Sequence, residues 1–130
     1  MDATAAIADL RELSTQIETV VVIARDGSLV ASSVQDEAAD RIAAAARDLA
    51  AGADQVRRDL GREALAQLQA ATPEGSVFLV VDDHRTAVAT TGADPTVGLV
   101  FYDLKTLLRQ IADGDGKAAD EEQERVDGSA

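Results

Sequence analysis

The sequence predicts an α+β domain with elements in the order α-β-β-α-β-β-β-α, and three observations carry the prediction. Apolar, largely β-branched runs are joined in pairs by short polar turns, at Asp26-Gly27 and at Asp82-Asp83-His84-Arg85. A long alanine-rich stretch from Asp36 to Leu60 sets its larger apolar residues at helical spacing. A third stretch, from Val97 to Ile111, repeats apolar side chains every three or four positions along one face.

Taken in order, Asp2 can cap a first helix whose apolar positions Ile7, Leu10 and Leu13 recur every three residues. Val20-Val21-Val22-Ile23 then reads as a strand buried on both faces, since a β-branched run without alternation has no polar side to expose. Asp26-Gly27 accepts positive φ at low cost, which suits a hairpin turn into a returning strand at Ser28–Ser32. In the long helix Ile42, Leu49, Val56 and Leu60 mark one stripe, Ala46 and Ala53 fill its gaps, and Gly61 stops it. Ala39, Ala43 and Ala50 run beside that stripe and have two readings, simple helix propensity or a seam where a second helix approaches closely.

Glu63–Ala71 fits helix or strand by periodicity alone, with Leu65 and Gln67 alternating against Ala64 and Ala66. The segments after it decide the matter. Thr72-Pro73-Glu74-Gly75 is a turn, Ser76–Val81 a buried strand and Thr86–Thr91 a small-residue strand, and two hairpin-linked strands invite a third neighbour. Asp94-Pro95 opens the last helix, with Asp as cap and proline at the first helical position. Val97, Val100, Phe101, Leu104, Leu107, Leu108 and Ile111 form its stripe and Gly114 is the expected stop. Residues 1–113 form one domain. Residues 114–130 hold one large aliphatic side chain, Val126, among acids and small residues, and are expected to be a disordered acidic tail.

Charge and composition narrow the function. The 130 residues carry Lys+Arg 12 against Asp+Glu 24, a formal net charge of -12, which repels nucleic acid and anionic membrane surfaces. Apolar runs such as Val20–Ala24 and Val77–Val81 fall far short of the roughly 20 residues that cross a bilayer. Met1-Asp2-Ala3-Thr4 lacks the positive charge of a secretory leader, so the expected compartment is the cytoplasm. The chain has no cysteine, which excludes disulfides, thiolate metal sites and thiol nucleophiles.

Catalysis finds no foothold. The one histidine, His84, stands in a turn beside Asp82 and Asp83, where neighbouring side chains do not converge on a metal and a general base is poorly placed. No phosphate-binding loop or dinucleotide fingerprint is present, so neither a cofactor nor a metal is expected. Arg57, Arg58 and Arg62 gather at the carboxyl end of the long helix; they either complement the helix dipole or offer a partner a basic spot on an acidic protein. A binding or scaffold role follows.

This order of elements resembles the roadblock/dynein light chain family over residues 3–112, and most resembles its stand-alone bacterial members. The similar features are the opening helix with Ile7, Leu10 and Leu13, the strand–turn–strand from Val20 to Ser32, the alanine-rich long helix, and Val97-Gly98-Leu99-Val100 opening the last one. The resemblance implies a five-stranded antiparallel sheet with the long helix on one face and the terminal helices on the other, a roadblock/profilin-like sandwich. It implies a homodimer joined through the third strand, Glu63–Ala71 with Leu65 and Gln67, and through long helices packed by Ala39, Ile42, Ala43, Ala46, Leu49, Ala50 and Ala53. It also implies a small Ras-like GTPase as partner in bacterial signalling, whose hydrolysis or localisation the chain modulates without being an enzyme itself. Arg47, Arg57 and Arg58 on the long helix are the residues expected to meet it. The rival expectation is a small-ligand sensor of profilin/PAS-like architecture with its pocket between sheet and helix.

Overall fold

A computed structural model describes residues 2–63 and 66–128, with the surroundings of side chains described as far as residue 112. The elements are α1 (Ala3–Leu13), β1 (Ile17–Ala24), β2 (Leu29–Ser32), α2 (Asp36–Asp59), β3 (Gln67–Ala71), β4 (Gly75–Val81), β5 (Arg85–Gly92) and α3 (Val97–Gly128), the order the sequence predicts. The strands form a single antiparallel sheet ordered β2-β1-β5-β4-β3, which leaves β2 and β3 at its edges. Among the described residues no helix is long and apolar enough to cross a membrane.

Local chemistry explains the element ends. The Ala5 N–H donates to Asp2 Oδ1 at 2.8 Å, so Asp2 supplies one of the acceptors that the first turn of a helix lacks. In the β1–β2 turn Asp26 Oδ1 accepts from the Ser28 N–H at 2.9 Å and from its hydroxyl at 2.6 Å. The Ser28 hydroxyl, and then its backbone N–H, hold the Asp26 carboxyl below its ordinary pKa. Gly27 takes φ 90, a conformation open to glycine at little cost. Gly75 answers a different need, because a Cβ there would meet the Thr91 carbonyl oxygen at 2.2 Å.

The sheet has a layer on each face. Val20, Val22, Phe78, Val80, Ala87 and Ala89 face α1 and α3, which contribute Ile7, Leu10, Val100, Leu104, Leu107, Leu108 and Ile111. The two phenylalanines, Phe78 and Phe101, meet edge to face with ring centroids 5.1 Å apart, a favoured aromatic geometry. Val21, Ile23, Leu79 and Val88 point the other way and meet Ala43 and Ala46 of α2. Val20-Val21-Val22-Ile23 is therefore buried on both sides, as the unbroken β-branched run requires.

Several boundaries differ from the sequence reading. The third strand is Gln67–Ala71 rather than Glu63–Ala71; its register, Gln67 opposite Val80 through Ala71 opposite Ser76, is set by β4 and not by local pattern. Leu65, and Ala64 beside it, lie outside the described residues. Leu13 is 77% exposed, because α1 ends there and its buried positions, Ala6, Ile7 and Leu10, lie in the turns before it. Asp94 does not cap α3. It sits at φ 56, and the Thr96 carbonyl accepts from the Leu99 and Val100 N–H groups at 3.1 Å each, so the chain bends before the helix begins. Nor does α3 stop at Gly114, but runs to Gly128. An interior glycine costs a helix only about 1 kcal/mol, and the Ala, Glu, Gln, Lys and Arg residues beyond it have high helix propensity.

Candidate functional site

The surface of α2 carries most of the residues the sequence singles out for an interface. Of the stripe of large apolar residues, Leu49 is 38% exposed, Val56 58% and Leu60 65%. The residues α2 buries are Ala39, Ala43 and Ala46, with Ile42 and Ala50 packed beside them. Helical geometry relates the two lines: at about 100° per residue, Leu49, Val56 and Leu60 lie roughly 40–80° around the axis from Ala46, on the side opposite Ala39, Ala43 and Ala50. Small side chains let the helix settle close to the sheet. The larger ones are turned aside, where nothing among the described residues covers them fully.

That placement revises the expected helix seam. Ala43 and Ala46 are covered by the chain's own sheet and Ala39 is buried as well, so all three offer a second helix almost no surface; for Ala43 and Ala46, small size serves close packing against strands. Ile42 and Ala50 are half-buried at the margin of the same contact. Leu49 is exposed and Ala53 half-exposed, and they adjoin Val56 and Leu60, which the sequence reading put in the stripe without assigning them to an interface.

Beside this helix face lies an incompletely covered part of the sheet. Leu68 and Val77 pack against the α2-side core yet stay half-buried, and Ala70, opposite Val77 in the ladder, is half-buried as well. Beyond them β3 pairs only with β4, so among the described residues its outer edge of backbone N–H and C=O groups has no strand partner. An edge of this kind is a template for another strand. Gln67 is exposed at its start. Sequence reasoning missed Leu68, Ala70 and Val77, since their half-burial depends on how far α2 extends over the sheet.

The three arginines do not form one group. Arg47 Nη1 donates to the Gly27 carbonyl oxygen, tying α2 to the β1–β2 turn. Ten residues on, about 15 Å along the axis, Arg57 Nε meets Asp54 Oδ1 at 2.6 Å and Arg58 Nη2 meets Asp54 Oδ2 at 2.9 Å. The hydrogen bond from Arg57, with the positive charge of both arginines, holds the Asp54 carboxyl below its ordinary pKa. Two guanidinium groups thus share one carboxylate, leaving a local excess of one positive charge on an acidic protein.

In the β4–β5 turn, Asp82 Oδ1 accepts from the His84 and Arg85 N–H groups at 2.8 and 2.7 Å, so this carboxylate shapes the turn.

Known proteins supply the wider context. The family model described as Roadblock/LC7 domain matches residues 5–91. The crystal structure of a Roadblock/LC7 domain from Streptomyces avermitilis superposes with a TM-score of 0.79 at 15% identity, covering 87% of this chain and 97% of that one. Myxococcus xanthus MglB gives 0.66 at 14% identity over 86% of this chain and 85% of its own. The gliding protein MglB of Thermus thermophilus gives 0.68 at 15%, covering 85% and 89%. At these identities the likeness is one of fold. No curated protein matches the chain.

Proposed function

The chain belongs to the Roadblock/LC7 family, and from that premise we propose that it is a homodimeric, non-catalytic regulator that binds a small Ras-like GTPase in bacterial signalling and modulates its GTP hydrolysis or its localisation. The observation that carries the reading is the open apolar strip of Leu49, Ala53, Val56 and Leu60 beside the unpaired β3 edge. Pairing two copies through β3 and through these faces of α2 removes both liabilities together, covering apolar surface and continuing the ladder across the dyad. Ile42 and Ala50 border that contact and Gln67 lies on the joined edge; Ala39, Ala43 and Ala46 support it from beneath by fixing the helix on the sheet. The working unit is residues 1–113, with 114–130 as an acidic extension, and the compartment is the cytoplasm.

Arg47, Arg57 and Arg58 are the proposed points of contact for the GTPase. Their separate positions suit two attachment points along α2 better than a single finger inserted into an active site. Stabilising charge in a transition state needs an uncommitted guanidinium, and Arg57 and Arg58 are committed to Asp54. Regulation then works by positioning the GTPase's own groups.

Two measurements test the reading. Light scattering on the purified chain is expected to give twice the 13.5 kDa chain mass, and Leu49→Arg is expected to give a folded monomer; a monomeric wild type overturns the homodimer. Affinity capture from host lysate supplied with GDP or a non-hydrolysable GTP analogue is expected to recover a small GTPase preferentially with the analogue. Purified together, the two are then assayed for hydrolysis. Recovery of no GTPase in either state removes the regulator reading.

A further inference from the structure

Between the middle of α2, the β1–β2 turn and the β4–β5 turn lies a cavity of about 450 Å³, built from one chain alone. Its floor is aliphatic, made by Ile23, Val81, Ala46 and Ala50. The two alanines create the space, since their side chains end at Cβ while the helix stays close to the sheet. The volume lies within the range of pockets that hold small organic molecules, about 300–1,000 Å³.

The rim is polar and asymmetric in what it has left to give. Three carboxylates reach it, but Asp26 is engaged by Ser28 and Asp82 by the backbone of its own turn, leaving Asp83. Three of the chain's twelve basic side chains, Arg25, Arg47 and Arg85, line the same cavity, with His84. Arg47 is held at the mouth by one hydrogen bond to the Gly27 carbonyl, and a guanidinium has five N–H donors. Gly27 makes that crossing possible: a Cβ there would stand 3.1 Å from the Arg47 Cδ. Formal charge around the rim sums to about zero with His neutral, which disfavours a multiply charged phosphate and suits a single negative charge placed by donor geometry.

We propose that this cavity binds a small aliphatic carboxylate, its alkyl chain on the Ile23, Val81, Ala46 and Ala50 floor and its carboxylate at Arg47 and Arg25. The site shares Ala50 with the margin of the proposed dimer contact and Arg47 with the proposed GTPase contact, but one chain forms the whole cavity, so octanoate binding to the purified protein is read without either partner. A ligand here bridges α2 to the tips of two hairpins.

The test uses the purified full-length chain, labelled with ¹⁵N and titrated with sodium octanoate. Saturable shifts are expected at the amides of Gly27, Ala46, Ala50 and Thr86. Octan-1-ol, lacking the charge, and Arg47→Gln are each expected to bind at least about tenfold more weakly, the loss of roughly one charge-assisted hydrogen bond. Ala50→Leu is expected to abolish the shifts by filling the floor while leaving the circular dichroism spectrum unchanged. Should it fail to fold, Thr86→Ile fills the cavity from the sheet side. The proposal is overturned if octanoate gives no saturable shift, if the shifts centre on the exposed Leu13, Leu99 and Tyr102 instead, if octan-1-ol or inorganic phosphate binds as tightly as octanoate, or if a folded cavity-filling variant binds undiminished.

Discussion

Val20 and Val21 are adjacent in β1 and equally buried, yet they enter layers of different construction. Val20 meets two helices whose large side chains, Ile7, Leu10, Leu104, Leu107, Leu108 and Ile111, are almost completely covered. Val21 meets one helix that buries only alanines and leaves its leucines and valine outside. The first layer is finished within the chain. The second is thin, held by close approach and not by bulk, and its uncovered parts, the α2 strip, the half-buried Leu68 and Val77, and the β3 edge, all lie on one side of the sheet. Buried bulk is thus concentrated on one face of the sheet, and most of the half-covered core residues lie on the other.

The largest effect expected from breaking this division is on the finished face. Leu104 is fully buried among α1, α3 and the sheet, so Leu104→Ala is expected to cost about 2–5 kcal/mol, the range for a leucine whose cavity cannot collapse. Urea denaturation followed by circular dichroism measures it. A cost below about 1 kcal/mol would mean that this layer is as loosely built as the other. On the α2 face, Ala43→Leu is expected to cost about 1–3 kcal/mol by overpacking, because the helix sits at alanine distance from the strands. By contrast Leu49→Arg, a chemically harsher change, is expected to cost the isolated fold less than about 1 kcal/mol, since the side chain already meets solvent. Comparing the two variants in a monomeric background fixes the phase of α2. A reversed order would place the leucine line, and not the alanine line, against the sheet.

The same contrast explains what the sequence made legible. β1 was readable because four consecutive β-branched residues leave no polar face, and the α3 stripe because its spacing admits one phase, although Val97, expected at its start, is 37% exposed and the buried line begins at Val100. The phase of α2 was not, since a hydrophobicity pattern ranks Leu49 and Val56 above Ala43 and Ala46, while the contact is decided by how closely a helix can approach strands, a property of the whole sheet. β3 depended on its ladder with β4, a non-local fact. The link from Arg47 to the Gly27 carbonyl joins positions twenty residues apart and carries no sequence signal beyond the glycine that permits it.

Gly27 offers a smaller, sharper test of how the open face is held. Alanine there must adopt φ 90 and crowd the Arg47 side chain, for an expected cost of about 1–2 kcal/mol. Combining Gly27→Ala with Arg47→Ala separates the two causes. If crowding contributes, the double variant is less destabilised than the sum of the singles; strict additivity assigns the whole cost to the backbone.

The smallest effect concerns the charges at the far end of α2, and its sign follows from the geometry. Asp54 is paired with Arg57 and Arg58, and its pKa in the folded chain lies below the ordinary 3.8. A carboxyl with a depressed folded pKa contributes stability above its unfolded value, and the contribution fades as pH falls through the folded pKa. Wild type is therefore expected to exceed Asp54→Asn slightly in stability at about pH 6, with the gap closing below pH 3.8. Arg58 is exposed and Asp54 and Arg57 are half-buried, so all three meet solvent and added salt should narrow the gap near neutral pH as well. A gap that persisted in acid would mean that Asp54 acts through hydrogen bonding or helix propensity and not through its charge.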